Sequence, residues 1–234
     1  MQVTSQEKRS LDKIVDEQIK RWQIDQKKKY KETIRPVITM SRLPGAGGNS
    51  IARRIAEELK IDLFDREIVE KIAESSKVST RIIESLDEQD RSIFNDWIRA
   101  LSKNQMWSYE YLQHLTKVVG AIGAHGHALI VGRFASFILP QEVCLRLLVV
   151  APLHTRIDNV AKAYGVSEAE AKGRVQLTES DRMAFVRKYF NADLMDPVNF
   201  DLVLNTKNLT IDAVVNIVKE ALNSRQWYNY SLRK

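Results

Sequence analysis

The residues with the clearest chemical potential lie in Val37-Ile38-Thr39-Met40-Ser41-Arg42-Leu43-Pro44-Gly45-Ala46-Gly47-Gly48-Asn49-Ser50, where an apolar run enters a glycine-rich turn and then a helical pattern from Ile51 to Leu59. Glycines in such a turn let backbone N–H groups converge on an anion, and a following helix adds its positive N-terminal end. A phosphate is the natural guest. Set against the phosphate-loop pattern G-x-x-x-x-G-K-[ST], the chain has Arg42 at the first glycine, Gly47 at the second, Gly48 at the lysine and Asn49 at the serine or threonine, with Ser50 one residue late. The turn reads either as a phosphate cradle without its ammonium group or as an ordinary glycine-rich connection.

Other charged residues fall where a ligand crevice would need them. Leu63-Phe64-Asp65-Arg66-Glu67 closes a second apolar run, and Leu129-Ile130-Val131-Gly132-Arg133 closes a third. Parallel α/β sheets present their ligand crevice at the carboxyl ends of strands. Asp65 and Arg66 would face the glycine turn there, or Asp65 merely caps the next helix. Arg133 suits a bidentate phosphate contact, or a surface ion pair. Arg156, Asp181-Arg182 and Arg187-Lys188 lie on helical stretches downstream. Mobile cations on a lid could neutralise a transferring phosphoryl group, while the plain alternative is a solvated helix face. His125-Gly126-His127 has no third spaced ligand and reads as a turn rather than a metal site. The single cysteine, Cys144, sits in an apolar run as a buried, inert thiol.

These residues need a scaffold. With 234 residues and 44% hydrophobic content the chain can bury one substantial core, an α/β domain with an insertion. Apolar runs at Val37–Met40, Ile61–Phe64, Ala128–Val131, Leu145–Ala151 and Leu202–Leu204 alternate with helical patterns, which predicts a parallel sheet covered by helices. A helical insert over 66–124 carries patterns at Ile68–Ala73, Arg81–Leu86, Ile93–Leu101 and Tyr109–Ile122, with Trp97 and Trp107 in its core. Helices follow at Leu153–Ala163, Glu168–Val175 (after the capping box Ser167-Glu168-Ala169-Glu170), Glu179–Tyr189 and Ile211–Leu222.

The leader carries most of the basic excess: residues 1–35 hold ten Lys/Arg and six Asp/Glu, against a net charge of +6 for the whole chain. Its cations alternate with acids and lack a recognition motif, so a solvated helix face is favoured over a nucleic-acid surface. Leu11, Ile14, Val15, Ile19 and Trp22 recur at helical spacing, predicting an amphipathic helix within 1–31 that docks on the core or on a second subunit. No apolar run reaches membrane-spanning length and nothing at the start resembles a signal peptide, so the expectation is a cytoplasmic protein.

Taken in order, the glycine loop, Asp65-Arg66, Gly132-Arg133, Asp181-Arg182 and Asp201-Leu202-Val203-Leu204-Asn205-Thr206 resemble the cytidylate kinases over about residues 35–224. The lysine-free loop is most similar to that of the cytidylate kinase-like family. The resemblance implies a three-layer P-loop NTPase-like fold with a five-stranded parallel sheet, a kinase-like domain over 32–224 with a lid at about 165–190, and a short tail over 225–234. It implies ATP as donor, a nucleoside monophosphate of the CMP or dCMP kind as acceptor, and Mg²⁺. Gly45, Ala46, Gly47, Gly48, Asn49 and Ser50 would wrap the donor phosphates, with Ser50 approaching magnesium. Asp65, Arg66 and Lys71 would border the acceptor site and Arg133 would contact the acceptor phosphate. Arg156 and Arg182, with Asp181, Arg187 and Lys188, would act from the lid. Two positions depart from authentic cytidylate kinases: Gly48 replaces the loop lysine, and Phe134 replaces an aspartate that helps to read the cytosine nucleotide. Arg42, swinging over the loop, could replace the missing charge.

Overall fold

The structure, a computed structural model, describes residues 11–27, 36–102 and 110–225. Five strands, β1 (Val37–Arg42), β2 (Asp62–Phe64), β3 (Ala128–Val131), β4 (Leu145–Val150) and β5 (Leu202–Asn205), form one parallel sheet in the order β2-β3-β1-β4-β5. Register is direct: Val37 pairs with Ala128 and Ile38 with Leu145 on either side of the central strand. The helices are α1 (Leu11–Lys27), α2 (Gly48–Leu59), α3 (Arg66–Glu74), α4 (Ser76–Glu84), α5 (Glu88–Ser102), α6 (Glu110–His125), α7 (Ala135–Ile138), α8 (Leu153–Tyr164), α9 (Glu168–Phe190) and α10 (Ile211–Ser224).

Period-two alternation sends side chains to two cores. Ile38, Met40, Leu129, Val131, Leu147 and Val149 meet Ile51, Ile55, Val214 and Val218 of α2 and α10 on one face. Ala128, Ile130 and Val37 meet the insert helices on the other, where Leu115, Val118 and Ile122 of α6 are fully buried. The sheet therefore lies between two helical layers.

The insert forms four helices, α3 to α6, as expected, but α4 covers Ser76–Glu84 instead of the Arg81–Leu86 pattern because Ser75 caps it five residues earlier. Asp65, Ser75, Ser167 and Thr210 each accept a backbone N–H at the start of a helix, which is why those chain segments turn helical there. Trp97 is buried in the insert; Trp107 and most of the C-terminal tail lie outside the described residues. Gly126 and His127 turn at φ +76° and +49° before β3, and His125 is buried against Ser85 Oγ at 3.0 Å.

Helix α1 lies on the chain's own core. Val15 and Trp22 are buried, and the indole stacks on His125 with ring centroids 3.7 Å apart. Asp62 accepts from Gln18 and, at 2.9 Å, from Arg21, while Asp16 pairs with Arg81. No helix among the described residues is long and apolar enough to cross a membrane.

A second expectation needs correction. The two helices expected at 168–175 and 179–189 are the single helix α9. Its buried stripe runs Ala171, Val175, Val186, and at 100° per residue Glu179 and Arg182 fall on the same side. Polar residues inside that stripe make one helix look like two.

Candidate functional site

The turn between β1 and α2 is held from outside. Every carbonyl from Arg42 to Gly47 accepts a hydrogen bond. Arg182 Nη1 donates to Arg42 at 2.8 Å, Arg156 Nη1 to Pro44 at 3.5 Å, Asn159 Nδ2 to Gly45 at 2.9 Å and Thr206 Oγ1 to Ala46 at 3.0 Å. Leu43 accepts from Ala46 N, and Gly47 from Ser50 N and Ile51 N. Among the described residues nothing accepts from the amides of Gly45, Gly47, Gly48 and Asn49. Open amides at a helix N-terminus form an anion cradle.

Two glycines are required for this path. Gly45 sits at φ +80°, and a Cβ there would come within 2.9 Å of the Arg156 carbonyl carbon. Gly47 sits at φ +77° facing open space. The helix begins at Gly48, three residues before the apolar pattern shows it, because the left-handed Gly47 turns the backbone into it.

Cations converge on the cradle. The Arg42 side chain crosses Gly48, where an added Cβ would be 2.8 Å from its Cβ, and ends against Gly132, whose Cβ would lie 3.3 Å from its Cζ. Its Nε reaches Asn49 Oδ1 at 3.4 Å, and it forms no ion pair among the described residues. Desolvation first, then the charges of Arg182, Arg133 and Arg66, push its pKa down to about 10. Arg182 is likewise lowered, by burial and by Arg66 and Arg133. Four arginines against the single paired carboxylate of Glu70, with Asp65 and Glu179 nearby, leave an excess of positive charge that suits an anion.

Arg133 occupies a strained turn: Gly132, Arg133 and Phe134 all have positive φ, at +75°, +49° and +57°. The Arg133 guanidinium pairs with Glu70 through Nη2, while its buried Nε has no acceptor. A buried hydroxyl chain fixes this turn, since Ser136 Oγ lies 3.0 Å from Thr39 Oγ1 and 3.3 Å from Ser41 Oγ of β1. Phe134 stacks on Phe185 of α9, with centroids 4.0 Å apart, and so packs the long helix against the body. Tyr111, whose phenol is pushed up by burial, feels the charges of Arg133, Glu70, Glu74 and Arg66.

The remaining predicted residues divide. Asp65 caps α3 through Ile68 N at 3.0 Å and also lies near enough to Arg42 to oppose the lowering of its pKa. Arg66 is exposed and pairs with Glu70 at 3.3 Å; Lys71 is exposed on the same helix. Arg156 does not serve as a mobile lid cation here. It is 5% exposed, donates to Glu179 Oε2 at 2.7 Å and to Ala151 O at 3.0 Å, and so ties α9 to the loop. Ser50, Asp181, Arg187 and Lys188 are exposed. Arg187 lines a cleft of about 500 Å³ between α8 and α9 with Leu153, Arg156 and Met183. Cys144 is buried and its thiol pushed up by desolvation, which leaves it inert. Glu70, Asn159, Glu179 and Thr206 had not been singled out as site residues, although Thr206 closes the last motif of the resemblance.

Residues 37–208, almost three quarters of the chain, match the cytidylate kinase-like family. The chain belongs to that family. Among curated relatives, the cytidylate kinase of Methanopyrus kandleri is 25% identical over 201 residues, covering 82% of this chain and 95% of the relative. That of Staphylothermus marinus is 25% identical over 185 residues, covering 79% and 94%. A crystal structure of an uncharacterized protein from Eubacterium ventriosum superposes with a TM-score of 0.64 at 18% identity, covering 82% of this chain and 99% of that one. The fold is thus a three-layer α/β arrangement on a five-stranded parallel sheet, as the resemblance implied.

Proposed function

We propose that this member of the cytidylate kinase-like family transfers the γ-phosphoryl group of ATP to a nucleoside monophosphate, CMP or dCMP first among them. The observation that carries the reading is the loop: all six carbonyls from Arg42 to Gly47 are engaged and four amides are open, while of the four arginines around them Arg42 and Arg182 form no ion pair among the described residues and Arg133 and Arg66 share the one carboxylate of Glu70. In the reaction an oxygen of the acceptor phosphate bonds to the γ-phosphorus. The bond from that phosphorus to the β–γ bridging oxygen breaks, and ADP leaves with the electron pair. Such chemistry is positioning and charge neutralisation, so it needs no nucleophilic side chain.

On this reading the amides of Gly45, Gly47, Gly48 and Asn49 hold the donor phosphates, and Arg133, with its unsatisfied Nε, takes the acceptor phosphate. Arg182 supplies charge from α9. A magnesium ion carried in by the nucleotide would take most of its oxygens from the phosphates and water, with the exposed Ser50 hydroxyl at the start of α2 as its protein ligand. Magnesium would neutralise charge on the β- and γ-oxygens when bound.

A second reading, a nucleotide-binding module without transfer, draws on Gly48 and on Phe134, which is spent on the stack with Phe185. ³¹P NMR of the protein with Mg·ATP and CMP, dCMP, UMP or AMP separates the two. Formation of ADP and an acceptor diphosphate supports the kinase. ATP binding without transfer supports the module, and absence of ATP binding rejects both.

A further inference from the structure

We infer that Arg42 and Gly48 have exchanged the two roles of a standard phosphate loop, so that the cation meeting the transferring phosphoryl group comes from the end of β1 instead of the start of α2. The inference rests on the phosphoryl-transfer reading of this site.

In the pattern G-x-x-x-x-G-K the first position is bare and the seventh carries the charge. Here position 42 carries the charge and position 48 is bare. The geometry makes the two substitutions one unit. A Cβ on residue 48 would lie 2.8 Å from Arg42 Cβ and 2.9 Å from its Cγ, atoms too near the backbone to move aside cheaply. A side chain at Gly132 would likewise strike Arg42 Nη1, and Gly132 stands at φ +75°. Gly48 thus keeps clear the stem of this one arginine, while its guanidinium end, which can shift, rests over Gly132. Among the described residues Arg42 has no ion pair to explain that path and only the 3.4 Å contact from Nε to Asn49.

The route also changes what the cation can touch. Its stem lies over the donor loop and its head against the β3 end, beside Arg133, where the acceptor phosphate is placed. A planar guanidinium there can donate to a γ-oxygen and to an acceptor phosphate oxygen at once, which a single ammonium on α2 does less well. While the new P–O bond forms and the bond to the β–γ bridging oxygen breaks, the charge that grows on the equatorial oxygens meets Arg42.

Four proteins test this: the unaltered chain, Arg42→Gly, Gly48→Lys and the double exchange, each assayed for transfer and, by calorimetry, for Mg·ATP binding. Arg42→Gly is expected to lose at least 100-fold in kcat with a smaller change in the KM for ATP. Free guanidinium ion at millimolar concentration should restore part of the loss. Gly48→Lys alone is expected to lose at least 10-fold, and the double exchange to recover to within 10-fold of the unaltered chain. If the unaltered chain binds ATP without transfer, the kinase reading falls and this inference falls with it. If Arg42→Gly does not fold, Arg42→Met, which keeps the stem over Gly48, gives the readout. Arg42→Gly or Arg42→Met within threefold of the unaltered protein, or a double exchange no better than Arg42→Gly, overturns the inference while leaving the kinase reading intact. An unaltered chain that takes up no ATP ends both.

Discussion

Replacing Arg42 by methionine should make the empty protein more stable and the enzyme much worse. The guanidinium is largely removed from water, stands among Arg182, Arg133 and Arg66, and has its pKa pushed down to about 10. Against an ordinary arginine, that reflects roughly 3 kcal/mol of penalty for holding the charge in place. Screening by the solvent that still reaches the site reduces the figure to about 1–2 kcal/mol. Methionine matches the stem that crosses Gly48, removes the charge and gives up only the 3.4 Å contact to Asn49. For a chain of this size the gain corresponds to a rise in Tm of about 3–6 °C. The sign with pH follows from linkage. The folded state releases the proton near pH 10 while the unfolded chain keeps it to higher pH, so the penalty is fully present below pH 9 and is relieved only above it. The difference between the two proteins should therefore stay constant from pH 6 to 9. Differential scanning fluorimetry with and without Mg·ATP, beside a transfer assay, measures all of this. A fall in Tm, or a variant still stabilised by ATP as strongly as the parent, would refute the claim that Arg42 waits for an anion.

Other consequences follow from single contacts. Gly45→Ala forces a left-handed φ on a residue whose Cβ meets the Arg156 backbone, so it should destabilise by about 2 kcal/mol or more, while Gly47→Ala, facing open space, should lose only about 1 kcal/mol; denaturant unfolding distinguishes them, and equal losses would count against the loop geometry. Glu179→Ala leaves Arg156 buried without its carboxylate and should destabilise by about 3 kcal/mol, with faster amide exchange in the middle of α9. Exchange rates matching the parent would show that the pair does not hold the helix. Trp22→Ala removes the stack on His125 and should lose about 3–5 kcal/mol; a loss under 1 kcal/mol would mean that α1 is not part of the core.

The sheet was legible because each strand is a short apolar run that ends at a turn, and the insert because its helices keep an unbroken apolar stripe. Helix α9 was misread where it crosses the site, since Glu179 and Arg182 occupy the buried side that apolar residues hold elsewhere. The phosphate loop could be recognised from Gly45 and Gly47, but the ties that hold its carbonyls come from Arg156, Asn159, Arg182 and Thr206, more than a hundred residues away. Local pattern carries no trace of such partners. Arg156 looked like a lid cation for the same reason: its partner Glu179 is fixed only once α8 and α9 pack together. For Arg42, residue type and position suggested a stand-in cation, whereas the path over Gly48 to Gly132 required coordinates.

The central claim is that the open amides of Gly45, Gly47, Gly48 and Asn49, with the arginines around them, hold a nucleotide's phosphate chain. Isothermal titration with a magnesium complex of a non-hydrolysable ATP analogue tests it without depending on any acceptor. The account predicts saturable one-to-one binding that Gly45→Ala weakens at least tenfold. No binding at millimolar analogue, or binding indifferent to Gly45→Ala, would contradict it.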